Sequence, residues 1–330
     1  MLFLSGLFIL IIINYTMKPM KLIEKPRREK IRLLTRSSFF LLFIFAPFLD
    51  IFRLDLTLGH FIIFGQPWTL GLESFQQGRG DAAAAAITLI TRAFLPVMLF
   101  ITIISIIIWR YGRIYCGWLC PHFSIVEIFN DLMLKHLNRV TLWEKASKKT
   151  RGALPWLLVF FSCATMAFVW AFSLLSYLLP PAQLIPDLLH GELGSGSTRF
   201  LLVATTIFTI DFFFARHLFC KFGCAVGIFQ SLIWMANSKA MVVSFDKPRA
   251  HACQSCDREC DRACPMRLHT RSIKRAKFTC TQCGQCLNTC DQVQKDNPDG
   301  RIINWVTNEQ AQQVDRNAPA FDKSRLKKFS

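Results

Sequence analysis

Apolar and polar residues fall in long blocks along this chain, not at strand or surface-helix period. Four blocks stand out: Leu33 to Phe52, Ala82 to Trp109, Leu154 to Leu179 and Phe200 to Phe219. Each approaches or exceeds the about 20 residues that a helix needs to cross a bilayer. The third carries no charge. The first is short and ends near Pro47 and Asp50, and the second holds Arg92 and Pro96 in its outer part. Met1 to Ile13 is apolar but too short to span and lacks the basic start of a signal peptide. It reads as a peripheral anchor, or as a start placed upstream of Met17 or Met20.

The polar blocks fix an orientation. Eight Lys and Arg residues lie between Lys18 and Arg36, and eight more between Arg110 and Arg151. The segments around Asp55, Glu73 and Asp81, and around Asp187 and Glu192, are acidic by comparison. Basic loops stay on the cytoplasmic side, so the pattern predicts four membrane helices with both ends inside. The composition agrees, with 52% hydrophobic residues, 31 phenylalanines and only 18% charged residues. The net charge of +17 does not point to nucleic acid, because the basic residues flank apolar blocks and no recognition motif accompanies them.

The chemistry lies in the cysteines. CQSCDRECDRACP begins at Cys253, and CTQCGQC, closed by Cys290, begins at Cys280. In bacterial two-cluster ferredoxins the fourth cysteine of each run ligates the other run's cluster. That pattern predicts one [4Fe-4S] cluster on Cys280, Cys283, Cys286 and Cys264, and another on Cys253, Cys256, Cys260 and Cys290. The first run departs from the standard spacing, with three residues between Cys256 and Cys260. Structural zinc sites also use CxxC pairs, although the run ending in CP favours iron–sulfur. A disulfide framework does not suit a cytoplasmic domain.

Four more cysteines mark an internal repeat. RIYCGWLCP and RHLFCKFGCA end the second and fourth blocks, and Cys116 and Cys120 recur 104 residues later as Cys220 and Cys224. The i, i+4 spacing places both sulfurs on one face of a helix. Pro121 suits a first helical position, making Cys120 an N-terminal residue whose thiolate the helix dipole favours. Packed about a pseudo-two-fold axis, the four would form one thiol site under the membrane. A metal ion, an additional cluster, a reversible dithiol and four unliganded cysteines all fit. Ile125, Ile128, Phe129, Leu132 and Leu137, and in the second copy Ile228, Phe229, Leu232 and Ile233, predict amphipathic helices along the cytoplasmic interface.

Together the CxxxC motifs, the four spans and the C-terminal cysteine runs resemble the membrane polyferredoxins. That family includes the NapH quinol-dehydrogenase subunit, the membrane half of NosR and the CcoG (FixG) accessory proteins of cbb3 oxidase. The resemblance covers about Arg27 to Val306. GHFIIFG from Gly59, MVVSFDKPR before Cys253 and CDQVQKDNPDG from Cys290 look like the oxidase-accessory group. The chain stops at Ser330 without that group's β-sandwich domain, and Ala225 replaces the proline usual after the second CxxxC. The resemblance implies electron transfer between the membrane or its quinone pool and a metal centre or redox partner. It implies either a quinol-dehydrogenase-like or a metal-ion (copper) reductase-like component. An accessory or redox-sensing role in respiratory-enzyme assembly is the alternative.

The expected architecture is therefore an α-helical protein of the bacterial inner membrane. Residues 1–32 form a basic N-terminal segment, 33–240 a duplicated two-helix membrane unit, 241–306 a cytoplasmic two-cluster ferredoxin domain and 307–330 a polar tail, poorly ordered in its last twenty residues. Asp211, nine residues before Cys220 in a span, is a candidate proton or ligand site, and His122 is placed to join a metal site. Asp50 and Arg92 are expected to pair, and Cys163 to pack. The Arg258, Arg262, Arg267, Arg271, Lys274 and Arg275 series suits an acidic redox partner or anionic headgroups.

Overall fold

A computed structural model of the chain describes residues 26–71, 81–142, 152–254 and 256–316. Met1 to Ile13, Glu73 and the final fourteen residues of the tail lie outside them. Among the described residues three helices, not four, are long and apolar enough to cross a membrane. They are α2 (Ala82–Tyr111), α5 (Leu154–Ser176) and α7 (Ser195–Ala215).

The first expected span divides instead. Helix α1 (Arg27–Phe45) begins after Pro26, carries its charges in its first half and stops at a turn. Strands β1 (Phe52–Asp55), β2 (His60–Ile63) and β3 (Gln66–Trp68) follow as an antiparallel sheet, with Phe52 opposite Ile63 and Ile62 opposite Pro67. Asp50 pairs with Arg53 at 2.5 Å and Arg53 with Asp55 at 2.7 Å. The acid expected opposite Arg92 therefore has a partner three residues away.

Pro96 explains a widened turn in α2. Proline lacks an N–H and crowds the carbonyl four residues back, and the helix opens into a π segment at Ile90–Phe94 immediately before it. Helix α3 (Ile114–Trp118) is one short turn. Helix α4 (Pro121–Leu137) starts at Pro121 with Cys120 as its N-cap. It is a core helix: Ile125, Phe129, Met133 and Leu137 pack with Val159, Cys163, Met166 and Trp170 of α5. Its apolar face packs against protein, while Asp131, Leu134 and Lys135 stay exposed on the other side. Helix α6 (Pro181–His190) ends at Gly191 in the left-handed conformation. Helix α7 finishes in a π segment at Asp211–Ala215, and Arg216 at φ 40° breaks it before the predicted end at Phe219. Helix α8 (Ala225–Ala236) is the counterpart of α4 and leaves Phe229 and Leu232 exposed.

The cysteine-rich region is closed by β4 (Val242–Phe245) and β5 (Ile303–Val306), paired antiparallel with Val242 opposite Val306. Between them lie α9 (Glu259–Arg262) and α10 (Gln285–Val293). The first part of the tail is not loose. Helix α11 (Asn308–Arg316) buries Ala311 against Trp234, Ala240 and Val242. The region is tied to the membrane helices by Met241 N–H donating to Arg110 O at 2.9 Å, Asn237 Nδ2 to Trp109 O at 2.8 Å and Lys274 Nζ to Trp234 O at 3.0 Å.

Candidate metal centre

The motif cysteines fall into three neighbourhoods, the second and third overlapping where Cys260 lies in one buried cluster with Cys286. In the first, burial pushes Cys220 up, and Cys120, Cys116 and Cys224 add to it. The helix is interrupted between the members of each pair: Cys116 lies on α3, Cys120 caps α4, Cys220 lies in the turn Phe219–Gly223 and Cys224 caps α8. The interruption lets sulfurs from two distant repeats meet.

In the second group Cys264 is pushed up to about 12, chiefly by burial and then by Cys283 and Cys280. Cys286 is raised by burial and by Cys283, Cys280 and Cys264. These four line one small, largely apolar cavity with Met266 and Leu268. In the third, Cys253 is raised by burial and by Cys256 and Cys290, and Cys260 by burial and by Cys256. Cys264 and Cys290 thus each sit with the other run.

The groups adjoin. Cys120 and Cys220 share a buried cluster with Cys264 and Cys280, and Cys260, Cys286 and Cys290 share another with Cys253 and Cys280. Gly117 shows how close the first two are. A Cβ added there would lie 2.3 Å from Thr281 O and 3.1 Å from Cys283 N. Trp118 Nε1 donates to Gln282 O at 3.1 Å beside it.

One expectation reverses. Cys120 does cap a helix, and the amides of Phe123 and His122 favour its thiolate, yet burial and the neighbouring Cys116 hold its pKa at about 12. Desolvation of a thiolate outweighs one helix terminus, so only a strongly bound cationic group can keep such sulfurs ionised.

The donor set fits a cofactor of that kind. Each group has a main-chain amide aimed at a sulfur: Gly227 N–H to Cys224 at 3.4 Å, Leu268 N–H to Cys264 at 3.5 Å and Ile302 N–H to Cys290 at 3.4 Å. Hydrogen bonds of this type tune iron–sulfur clusters. Among the described residues no three His, Cys, Asp or Glu side chains are placed to hold a single metal ion. Two sulfurs on one ion, with bonds of about 2.3 Å, lie within about 4.6 Å of each other. A multi-atom cluster spreads its ligands wider.

Around the first group stand residues that the sequence motifs pass over. Arg113 is 1% exposed. Its Nη2 donates to Cys220 O at 3.0 Å and approaches Cys116 Sγ at 3.9 Å. Cys116 also contacts Gln230 Oε1 at 3.6 Å. His122 bridges Cys220 Sγ, 3.5 Å from Nδ1, and Asp211 Oδ2, 2.7 Å from Nε2. Asp211 Oδ1 is buried with no hydrogen-bond partner among the described residues. Glu127 accepts from Arg32 at 2.6 Å and pairs with Arg36, while Arg32 Nε donates to Gly117 O at 2.8 Å. A lone acid in the apolar face of α4 was the available signal for Glu127. Cys163 packs in the core, apart from the three groups.

Comparison with known proteins decides what these thiols belong to. The family described as a 4Fe-4S binding domain matches residues 92–139 and again 197–240, the two CxxxC halves. The ferredoxin-type protein NapH of Haemophilus influenzae is 26% identical over 210 residues, 62% of this chain and 66% of that protein. Over its two CxxxC halves this chain is similar to the membrane polyferredoxins. Two further relatives of this chain are YccM of Escherichia coli K12, whose name assigns it to electron transport, and the methylamine utilization ferredoxin-type protein MauN of Methylorubrum extorquens. YccM is 21% identical over 66% of this chain and 57% of its own length, and MauN 27% over 57% of this chain and 56% of its own. The chain therefore spans between just over half and two-thirds of these curated relatives. No solved structure matches it. Three helices able to cross a membrane and a 4Fe-4S match in both CxxxC halves fit a membrane protein that holds iron–sulfur clusters.

Proposed function

We propose that the chain conducts electrons between the quinone pool and a redox partner at the cytoplasmic face of the bacterial inner membrane. Cys280, Cys283, Cys286 and Cys264 would hold one [4Fe-4S] cluster, and Cys253, Cys256, Cys260 and Cys290 a second. Cys116, Cys120, Cys220 and Cys224 would hold a third. Bound there, the clusters supply one-electron chemistry at potentials that net charge and hydrogen bonds set.

The observation that carries this reading is the contact of Gly117 with the Thr281–Cys283 backbone. It seats the membrane-side thiols against the ferredoxin thiols with no room for a side chain between them. The remaining residues hold that arrangement: Arg32 and Trp118 clamp the CGWLC turn, and Lys277 donates to Val243 O beneath Cys280. The His122–Asp211 pair lies between the end of α7 and Cys220, where it would accept a quinol proton. The basic segments around Lys18 to Arg36 and Arg110 to Arg151 support a cytoplasmic ferredoxin region, and α1 supports a fourth crossing only if its apolar second half is extended by the turn that follows it.

Iron and sulfide analysis with EPR on anaerobically purified protein tests this. Three clusters predict about twelve iron atoms per chain, four for each group. Substituting Cys116 and Cys220 together should remove about four and leave the ferredoxin signals. Zinc in place of iron and sulfide would end the proposal.

A further inference from the structure

We propose that Arg113 is a positioning residue of the membrane-side centre, a fixed positive charge that raises its reduction potential. This rests on the reading that the CxxxC thiols hold a cluster.

Burying a guanidinium costs several kcal/mol unless an anion compensates it. Among the described residues no carboxylate forms an ion pair with Arg113, and its Nε has no hydrogen-bond partner. Its contacts are Cys220 O at 3.0 Å, Ser231 Oγ at 3.4 Å and Cys116 Sγ at 3.9 Å. Two of these are neutral oxygens, and the group beside the charge that can become an anion is the Cys116 sulfur.

The seat is shaped for it. A Cβ at Gly227 would come 2.4 Å from Arg113 Nη2, so a larger residue there would displace the guanidinium. Ser231, one turn along α8, donates to Gly227 O at 3.0 Å and offers its oxygen to Arg113. Arginine, unlike lysine, stays charged when buried and is weakly hydrated. The second repeat has His217 in the matching position, three residues before Cys220. Burial and the nearby Arg216 hold His217 uncharged at neutral pH, with its pKa lowered to about 4. At this register position only the first repeat has a permanent cation, since Arg216 of the second is turned to Phe129 O and Met133 of α4. A positive charge favours the state with one more electron, so the centre beside Arg113 is the better acceptor for electrons arriving from the membrane.

The test is potentiometric EPR on purified full-length protein, with iron and sulfide counted in every sample. In Arg113→Met with wild-type iron content, the reduced-to-oxidised ratio of the membrane-side signal at the wild-type midpoint should fall at least about tenfold, about 59 mV for one electron. Arg113→Lys, an ionisable cation without the guanidinium fork, should restore only part of it. Gly227→Ala should lower the ratio in the same direction by a smaller factor. Unchanged ratios in Arg113→Met at full iron content overturn the proposal while leaving the three-cluster reading intact. If Arg113→Met loses its iron, the other two variants decide: wild-type ratios in both overturn it. Wild-type protein with only the two ferredoxin clusters removes the reading and this inference together.

Discussion

The two CxxxC repeats share a plan, a thiol-bearing turn feeding a capped helix, and differ in nearly every residue that touches the thiols. The first repeat presents Gly117 to the ferredoxin loop and has Lys221 as its counterpart in the second. It carries His122 and Glu127 where the second has Val226 and Ser231. Helix α4 is packed into the core, whereas α8 leaves Phe229 and Leu232 exposed. Duplication supplied symmetric sulfurs, and divergence made the two sides unlike. Both repeats hold the cysteine-rich region, the first through Gly117 and Trp118 and the second through Trp234, and the second also carries the Asp211 carboxylate.

The largest test of that division is Glu127→Gln against Ser231→Ala. Glu127 holds two buried arginines, and removing one partner of a buried charge pair costs about 3–5 kcal/mol. Ser231→Ala should cost about 1 kcal/mol. Denaturant unfolding of the detergent-purified protein would read both, and equal losses would contradict the asymmetry. Next, Gly117→Ala must push the Thr281 backbone aside and should cost about 1–3 kcal/mol, with weakened ferredoxin EPR signals. Lys221→Ala should stay within about 0.5 kcal/mol.

Asp211→Asn should leave iron content unchanged and slow cluster reduction by a quinol analogue by about 100-fold, the low end for losing a proton acceptor. An unaffected rate would remove Asp211 from the chemistry. The smallest effect is one of pH. His217 is held down by burial, Arg216, Arg267 and Lys221, from 6.5 to about 4. The unfolded chain therefore binds a proton that the folded one refuses, and this stability is complete above about pH 6.5 and gone by pH 4. His217→Gln should flatten that stretch of the melting-temperature profile.

Much of this was legible in the sequence because cysteine spacing and apolar length are local signals. The 104-residue offset and the break at Pro121 could both be read from order alone. The ionisation of Cys120 could not, since a helix terminus is visible in sequence and the burial that overrides it is not. Arg113 was equally hidden: beside an apolar block it counts as one more cytoplasmic charge, and only the fold turns it inward. The first span misled for a related reason. Hydropathy from Leu33 to Phe52 ignores the turn before β1, where Asp50 and Arg53 pair locally.

The ties from Met241 to Arg110, Asn237 to Trp109 and Lys274 to Trp234 leave the cysteine-rich module no slack. A carrier that swings must diffuse, and its turnover slows in thickened solvent. A module soldered to the ends of two membrane-side helices has nothing to swing, so viscosity should leave its internal throughput untouched and slow only the arrival of its partner.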